Sequence, residues 1–251
     1  MAKQSGIIKL EGTIGDITFY KSKDGLLARA KGGVDASRIQ NDAAFQRTRE
    51  NGEEFGRAGI AGKHLRLAFR TYLQNAADSK MVSRLTKAMT EVIKADATSI
   101  RGKRNVLDGE LELLGGFDFN IDGKLSATLF LADTAAIDRV TGALQVNIPA
   151  FSPANAIAAP EGATHLRFVS GGASINFENG IFESINSQSD NISIEEAPVA
   201  AVELLNQLMA NSTNPLFLVL GIEFYQEVNG VSYSLKNGRY NALSLIRVSG
   251  V

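Results

Sequence analysis

The sequence predicts an α+β protein: an N-terminal β-hairpin arm and an antiparallel helix pair, followed by an immunoglobulin-like β-sandwich. Three observations carry this. From Phe55 to Val92 apolar residues recur every three or four positions, the spacing of one face of a helix. After Gly115-Gly116 the period falls to two, the spacing of a half-buried strand. Asp122-Gly123, Asn179-Gly180, Asn229-Gly230 and Asn237-Gly238 then punctuate short apolar runs, as turns between strands do. The expected divisions are 1–37 for the arm, 38–105 for a basic helical segment and 116–251 for the sandwich, with one helix inserted at 198–211.

From Gly6 to Gly33 the chain reads as a strand followed by a hairpin. Asp24-Gly25 suits a two-residue loop, which would pair Phe19 with Ala30, Tyr20 with Arg29 and Lys21 with Ala28. Ile17, Phe19, Lys21, Ala28 and Ala30 then share one face, and Thr18, Tyr20, Leu27, Arg29 and Lys31 the other. An isolated hairpin is marginal in water, so its apolar face needs a cover. The chain's own helices and a second copy are the two candidates. Ile17, Phe19, Tyr20, Lys21, Leu27, Arg29 and Lys31 form the candidate assembly interface.

A helix is expected from an N-cap at Asn41 or Asp42, with Phe55, Ala58, Gly62, Leu65, Phe69 and Leu73 on one face. Each internal glycine costs about 1 kcal/mol against alanine. Asn51-Gly52 is therefore a candidate break, and Gly56, Gly59 and Gly62 a candidate seam for a close backbone. A second helix reads from Ser79 to Lys94, capped by Asp78 or Ser79, with Met81, Leu85, Met89 or Ala88, and Val92 inward. Leu107 to Leu114 fits either a helical turn or a strand. Strands are expected at 117–121, 124–131, 143–148, 165–170, 174–178, 180–184, 192–197, 216–228, 231–235 and 242–248. Pro198 suits the first turn of the inserted helix, which would put Val202, Leu205 and Met209 on one side.

The order Gly6-Ile-Ile-Lys-Leu-Glu-Gly-Thr-Ile-Gly-Asp-Ile-Thr-Phe-Tyr-Lys21, then Arg29, then Asn41-Asp-Ala-Ala-Phe-Gln-Arg-Thr-Arg49, resembles a family of uncharacterised Bacteroidota proteins. Ile157-Ala-Ala-Pro-Glu-Gly-Ala-Thr-His165 and Leu220-Gly-Ile-Glu-Phe-Tyr-Gln-Glu-Val-Asn-Gly230 extend the resemblance over nearly the whole chain. It implies a shared fold and supplies no activity and no catalytic residues.

The 251 residues, 44% hydrophobic, are enough for substantial cores. With no Cys there is no disulfide framework, thiolate nucleophile or cysteine metal site. No run reaches the roughly 18 to 20 apolar residues of a membrane span, and residues 1–20 lack the apolar stretch of a signal peptide. A cytoplasmic protein, or part of an assembled particle, is the expectation. The net charge of -1 hides a division. Residues 1–105 hold 20 Lys and Arg against 11 Asp and Glu, giving +9, while residues 106–251 hold 6 against 16, giving -10.

Catalytic groups are sparse. His64 and His165 have no ligand at metal spacing and no nucleophile partner. Asp108, Glu110 and Glu112 would share a face on a strand, where a solvated acidic face is commoner than a cation site. Gly56-Arg-Ala-Gly-Ile-Ala-Gly-Lys-His64 fails as a phosphate loop, because Arg57 stands where a glycine is required and His64 where the magnesium-binding hydroxyl belongs. Neither a cofactor nor a small-molecule substrate is expected. Arg47, Arg49, Arg57, Lys63, Arg66, Arg70, Arg101, Lys103 and Arg104 are candidate phosphate contacts. The leading expectation is a non-enzymatic structural protein that self-assembles through its arm into a filament, or a tube or shell of phage-like type. Nucleic-acid binding by the basic helical segment is the alternative.

Overall fold

The computed structural model describes residues 2–22, 25–30, 33–132, 134–195 and 198–251. They form two compact units, 1–49 and 50–251.

In the first unit, β1 (Ala2–Lys3), β2 (Gly12–Ile14), β3 (Ile17–Ser22) and β4 (Gly25–Ala30) make an antiparallel sheet in the order β1-β4-β3-β2. The predicted hairpin is present with its register moved by two. Phe19 lies opposite Ala28, Tyr20 opposite Leu27 and Lys21 opposite Leu26. The shift arises because Gly25 is already paired with Ser22, whose hydroxyl donates to the Gly25 carbonyl at 3.2 Å. Residues 23–24, on which half of the expected loop falls, lie outside the described residues, as does Lys31. A shift of two preserves which side chains share a face. A second hairpin turns at Gly15 (φ +56°) and Asp16, with Ile14 opposite Ile17. The Gln4 side chain bonds the backbone of both Leu10 and Leu27. Helix α1 (Ala36–Asn41) follows, capped by Asp35, which accepts from the Ser37 amide at 2.8 Å. Asp42 then caps a 3-10 turn over Ala43–Phe45.

Helix α2 (Gln46–Ala68) carries the chain into the second unit. It passes Asn51-Gly52 without the expected break. Next come α3 (Arg70–Leu73) and α4 (Met81–Lys94). Met81, Leu85, Met89 and Val92 of α4 are buried, as their spacing predicts. Gly62 faces Leu85 and Met89 side chains, and a Cβ at Gly56 or Gly59 would meet no atom of this unit. The close approach at Gly62 is thus made by side chains of α4. Leu107 to Leu114 resolves into a 3-10 turn over Leu111–Leu114.

The rest comprises β5 (Phe117–Asp118), α5 (Leu125–Thr128), β6 (Thr134–Asp138), β7 (Ala143–Ile148), α6 (Pro153–Ala156), β8 (His165–Ile175), β9 (Phe182–Gln188), β10 (Ile192–Ser193), β11 (Val202–Gln207), β12 (Leu216–Val228), β13 (Val231–Ser234) and β14 (Ala242–Ser249). Two antiparallel sheets result. The larger runs β10-β8-β12-β14-β5, with β9 also on β8 and β13 on β12; the smaller runs β11-β7-β6.

Two cores lie on the two faces of the larger sheet. On one, Leu65, Phe69, Leu85 and Met89 of the helices meet Val169, Phe217, Val219 and Leu243. On the other, Leu144, Val146 and Leu204 of the smaller sheet meet Phe168, Leu218, Leu220 and Phe224. The central strand β12 is buried on both faces, so Leu216 to Phe224 reads as a nearly unbroken apolar run. Within β8, a Cβ on Gly171 would lie 3.0 Å from Tyr72 Cε2, and one on Gly172 2.9 Å from Asn206 Cβ. The glycine pair lets both outer layers close onto the middle one. It also joins into one strand what the sequence reads as two.

Two expected elements are replaced. The inserted helix at 198–211 is strand β11, laddered to β7 from Val202↔Ile148 to Gln207↔Ala143. Leu204, Asn206 and Leu208 are buried while Leu205 and Met209 are exposed; the segment fits both periods, and an available ladder decided between them. The strand expected at 124–131 is instead the turn α5, whose Leu125 amide donates to Asp118 Oδ1 at 3.1 Å. The architecture is mixed α and β with several antiparallel sheets and a helix pair. No described helix is long and apolar enough to cross a membrane.

Candidate functional site

The candidate cations divide by what their neighbours do to them. Arg57, on α2, donates from Nε to the Arg104 carbonyl at 2.7 Å and from Nη2 to the Gly102 carbonyl. Arg101 reaches Asn51 Oδ1 at 2.8 Å and Glu50 at 3.5 Å. Glu54, buried on the same helix, accepts from the Gly102 amide at 2.8 Å. These bonds clamp the basic connector 101–104 onto α2, so Arg57 and Arg101 are held by protein. Arg104 has its Nε buried, and Lys103 remains exposed. In the first unit, Arg49 donates to the carbonyls of Ile39 and Asp42 at 2.7 and 2.9 Å.

Asp96, only 1% exposed, anchors the same connector. It accepts from the amides of Thr98, Ser99 and Asn105 and from the Thr98 hydroxyl at 2.9 to 3.2 Å. Burial alone would raise its pKa, but these donors together outweigh it and hold the carboxyl well below the usual carboxylate range.

Lys63, Arg66 and Arg70 behave differently. With Leu67, Leu73, Gln74 and Met81 they line an open groove of about 390 Å³. Lys63 and Arg70 are exposed, and Arg66 Nε bonds back to the Gly62 carbonyl at 3.2 Å. No acidic residue lines this groove.

A cleft of about 450 Å³ beside α2 includes Arg57, Ile60, Leu107, Asp108 and Phe177 in its lining. Its Arg57 is engaged by carbonyls, and Asp108 accepts from Asn105 Nδ2 at 2.6 Å. Glu112 instead accepts from the Gly250 amide at 2.7 Å, and the 3-10 turn disperses Asp108, Glu110 and Glu112 from the common face a strand would give them. His64 sits beneath Gly180 and 6.4 Å from the Phe177 ring. His165 Nδ1 lies 3.0 Å from the Thr164 hydroxyl, with its Nε2 3.6 Å from Glu227.

One cluster escaped the reading of the sequence. Glu223 is buried on β12; its Oε2 accepts from the Tyr225 hydroxyl at 2.5 Å and its Oε1 from Asn75 Nδ2 at 3.3 Å. The Arg167 guanidinium lies over the Tyr225 ring at 4.7 Å. Burial and the hydrogen bond to Glu223 push Tyr225 up to about 12. Burial, and then the charge of Glu223, push Tyr72 above the usual phenol range. Tyr72 donates to the Ser170 carbonyl at 2.7 Å. Alternation on β8 and β12 already places Arg167, Glu223 and Tyr225 on one face; the missing information was that Tyr72 of α3 and Asn75 of the turn after it close over it. Its hydrogen bonds fasten the helices to the sheet.

The arm presents the remaining candidates. Among the described residues of 2–49 none is buried. Ile17 is exposed, Phe19, Tyr20 and Leu27 are half-buried, and Lys21 and Arg29 are exposed, the Arg29 guanidinium lying 5.4 Å from the Tyr20 ring centroid. Ile7, Ile8 and Ile14 add further exposed apolar surface. No family model, no curated protein and no solved structure matches the chain, so its function rests on this geometry alone.

Proposed function

We propose that the protein is a non-enzymatic structural subunit that self-assembles into a higher-order homo-oligomer, a filament, tube or shell, through its N-terminal arm. One observation carries the reading: Ala2–Ala30 fold into a four-stranded sheet in which no described residue is buried. A sheet needs an apolar face packed on something for stability, and exposed apolar sheet surface marks an interaction site. The two opposed antiparallel sheets of the second unit support an immunoglobulin-like sandwich as the body of such a subunit. The charge division supplies attraction between unlike parts of successive copies.

Light scattering after size exclusion, and negative-stain microscopy, test this at rising concentration in low salt. Association is expected, and a monomer throughout would overturn the reading. Deleting residues 1–33 is expected to abolish association while leaving the thermal unfolding midpoint of the second unit in place, because both buried cores begin at or beyond Ala58.

The groove of Lys63, Arg66 and Arg70 favours a second reading, nucleic-acid binding. If these three cations contact phosphates, the logarithm of duplex-DNA affinity should fall with the logarithm of salt at a slope of about -3. Replacing all three with glutamine should then remove retention on heparin. Equal retention by the variant would exclude the groove.

A further inference from the structure

We infer that the outer edge of β9 receives the N-terminal arm of a second copy, whose Gly6–Leu10 segment adds to the large sheet as a further strand. This rests on the self-assembly reading and names its interface.

The inner edge of β9 is laddered to β8 from Val169↔Gln188 to Ile175↔Phe182. Bonds at the ends of the ladder fix which groups face inward. The Ile175 amide donates to the Pro215 carbonyl, away from β9, whereas the Asn176 amide donates to Ile181 and the Ser189 amide to Phe168, across the pair. In an antiparallel ladder the direction alternates residue by residue. Glu183, Ile185 and Ser187 therefore point their backbone groups at β8, and Phe182, Ser184, Asn186 and Gln188 point theirs outward. No strand pairs with that outer edge among the described residues.

Edge strands are ordinarily protected by charged side chains, above all lysine, or by proline or a bulge. β9, Phe-Glu-Ser-Ile-Asn-Ser-Gln, has no lysine, proline or bulge, and its single charge, Glu183, accepts from the Met209 amide at 3.1 Å. Apolar side chains are exposed on it and beside it: Ile181 at 68%, Phe182 at 38%, Ile185 at 39% and Met209 at 73%. An extended segment added here would gain main-chain hydrogen bonds and apolar cover together.

Charge identifies the occupant. From Phe168 to Leu235 the chain has no Lys or Arg and eight Asp or Glu, among them Glu178, Glu183 and Asp190 around β9. A matching segment should be apolar and cationic. Residues 1–34 hold six Lys and Arg against three Asp and Glu, a balance of +3. Within them Gly6-Ile-Ile-Lys-Leu10 lies between β1 and β2 and pairs with no strand. Ile7 and Ile8 are 101% and 80% exposed. This stretch brings two β-branched residues and Lys9 to an apolar edge flanked by carboxylates.

The test compares full-length wild type with Ser184→Pro and with the double variant Ile7→Ser, Ile8→Ser. Proline at Ser184 removes an outward N–H, and proline is tolerated at such an edge position. Each variant is expected to raise the concentration needed for self-association by at least about tenfold, with an unchanged unfolding midpoint. In wild type, amide exchange at Ser184 and Asn186 should slow as the protein associates and recover on dilution. If wild type associates while both variants associate equally well, the edge assignment fails and the assembly reading stands. A wild type that stays monomeric sinks both, including the case where β9 is protected at every dilution by the arm of its own chain. Should Ser184→Pro unfold, the wild-type exchange decides: rates unchanged on association overturn the proposal.

Discussion

Asp96→Ala is expected to destabilise the second unit by about 3 kcal/mol, the cost of removing a buried charged acceptor from several donors. Three amides, of Thr98, Ser99 and Asn105, lose their partner, and the carboxylate that served all three is itself almost fully buried. At roughly 3 °C per kcal/mol for a unit of this size, the unfolding midpoint should fall by about 9 °C. The pH dependence gives a second signature. The folded-state pKa of Asp96 lies below its unfolded value, so its contribution is present in full above about pH 4 and is lost as pH falls through the lower folded value. The gap between wild type and Asp96→Ala, measured by denaturant melts, should therefore be widest at neutral pH and narrow in acid. A gap of equal size at pH 7 and pH 2 would show that the carboxylate charge is not what anchors the connector. Releasing that connector also frees the carbonyls of Gly102 and Arg104 from Arg57, so heparin retention should rise in the variant.

Gly172→Val is expected to cost a similar amount, about 3 kcal/mol, by overpacking. A Cβ there already falls 2.9 Å from Asn206 Cβ and 3.2 Å from Leu144 Cδ2; the first atom moves only with its backbone, and the second, though a terminal methyl, belongs to a fully buried side chain. Relief requires the smaller sheet to move away from β8. That movement would stretch the buried Asn206 Nδ2 bond to the Ser170 hydroxyl, 2.8 Å long. Gly171→Val pushes instead on Tyr72 and Phe69 of the helical layer. The two variants should therefore give different near-ultraviolet dichroism: Gly171→Val perturbs a tyrosine signal that Gly172→Val leaves nearly intact.

Much of the architecture is legible from local pattern. α4 has a single amphipathic period and buries the residues that period selects. Ala143–Ile148 and Leu216–Val228 match their predicted spans to the residue, because each joins an apolar pattern to clear flanking turns. Asn229 and Gly230, with φ of 54° and 77°, make the expected two-residue turn. The candidate surface was legible in part. Lys63, Arg66 and Arg70 share a groove as their i, i+3, i+7 spacing implies, and the exposed arm follows from its lack of any core.

The remainder depended on partners far along the chain. Val202–Gln207 satisfies a helical and a strand period alike; only β7, more than fifty positions earlier, supplied the ladder that chose strand. Arg57 and Arg101 look like phosphate ligands until carbonyls and a carboxylate from distant segments occupy them, and no periodicity carries that information. The sequence by itself therefore determined some of the turns, Asn229-Gly230 among them, which segments are amphipathic, and that basic and acidic residues divide along the chain. Tertiary structure alone decided which cations stay available and which strand edge stays open, because hydrogen-bond saturation is set by groups that meet only after the chain has folded.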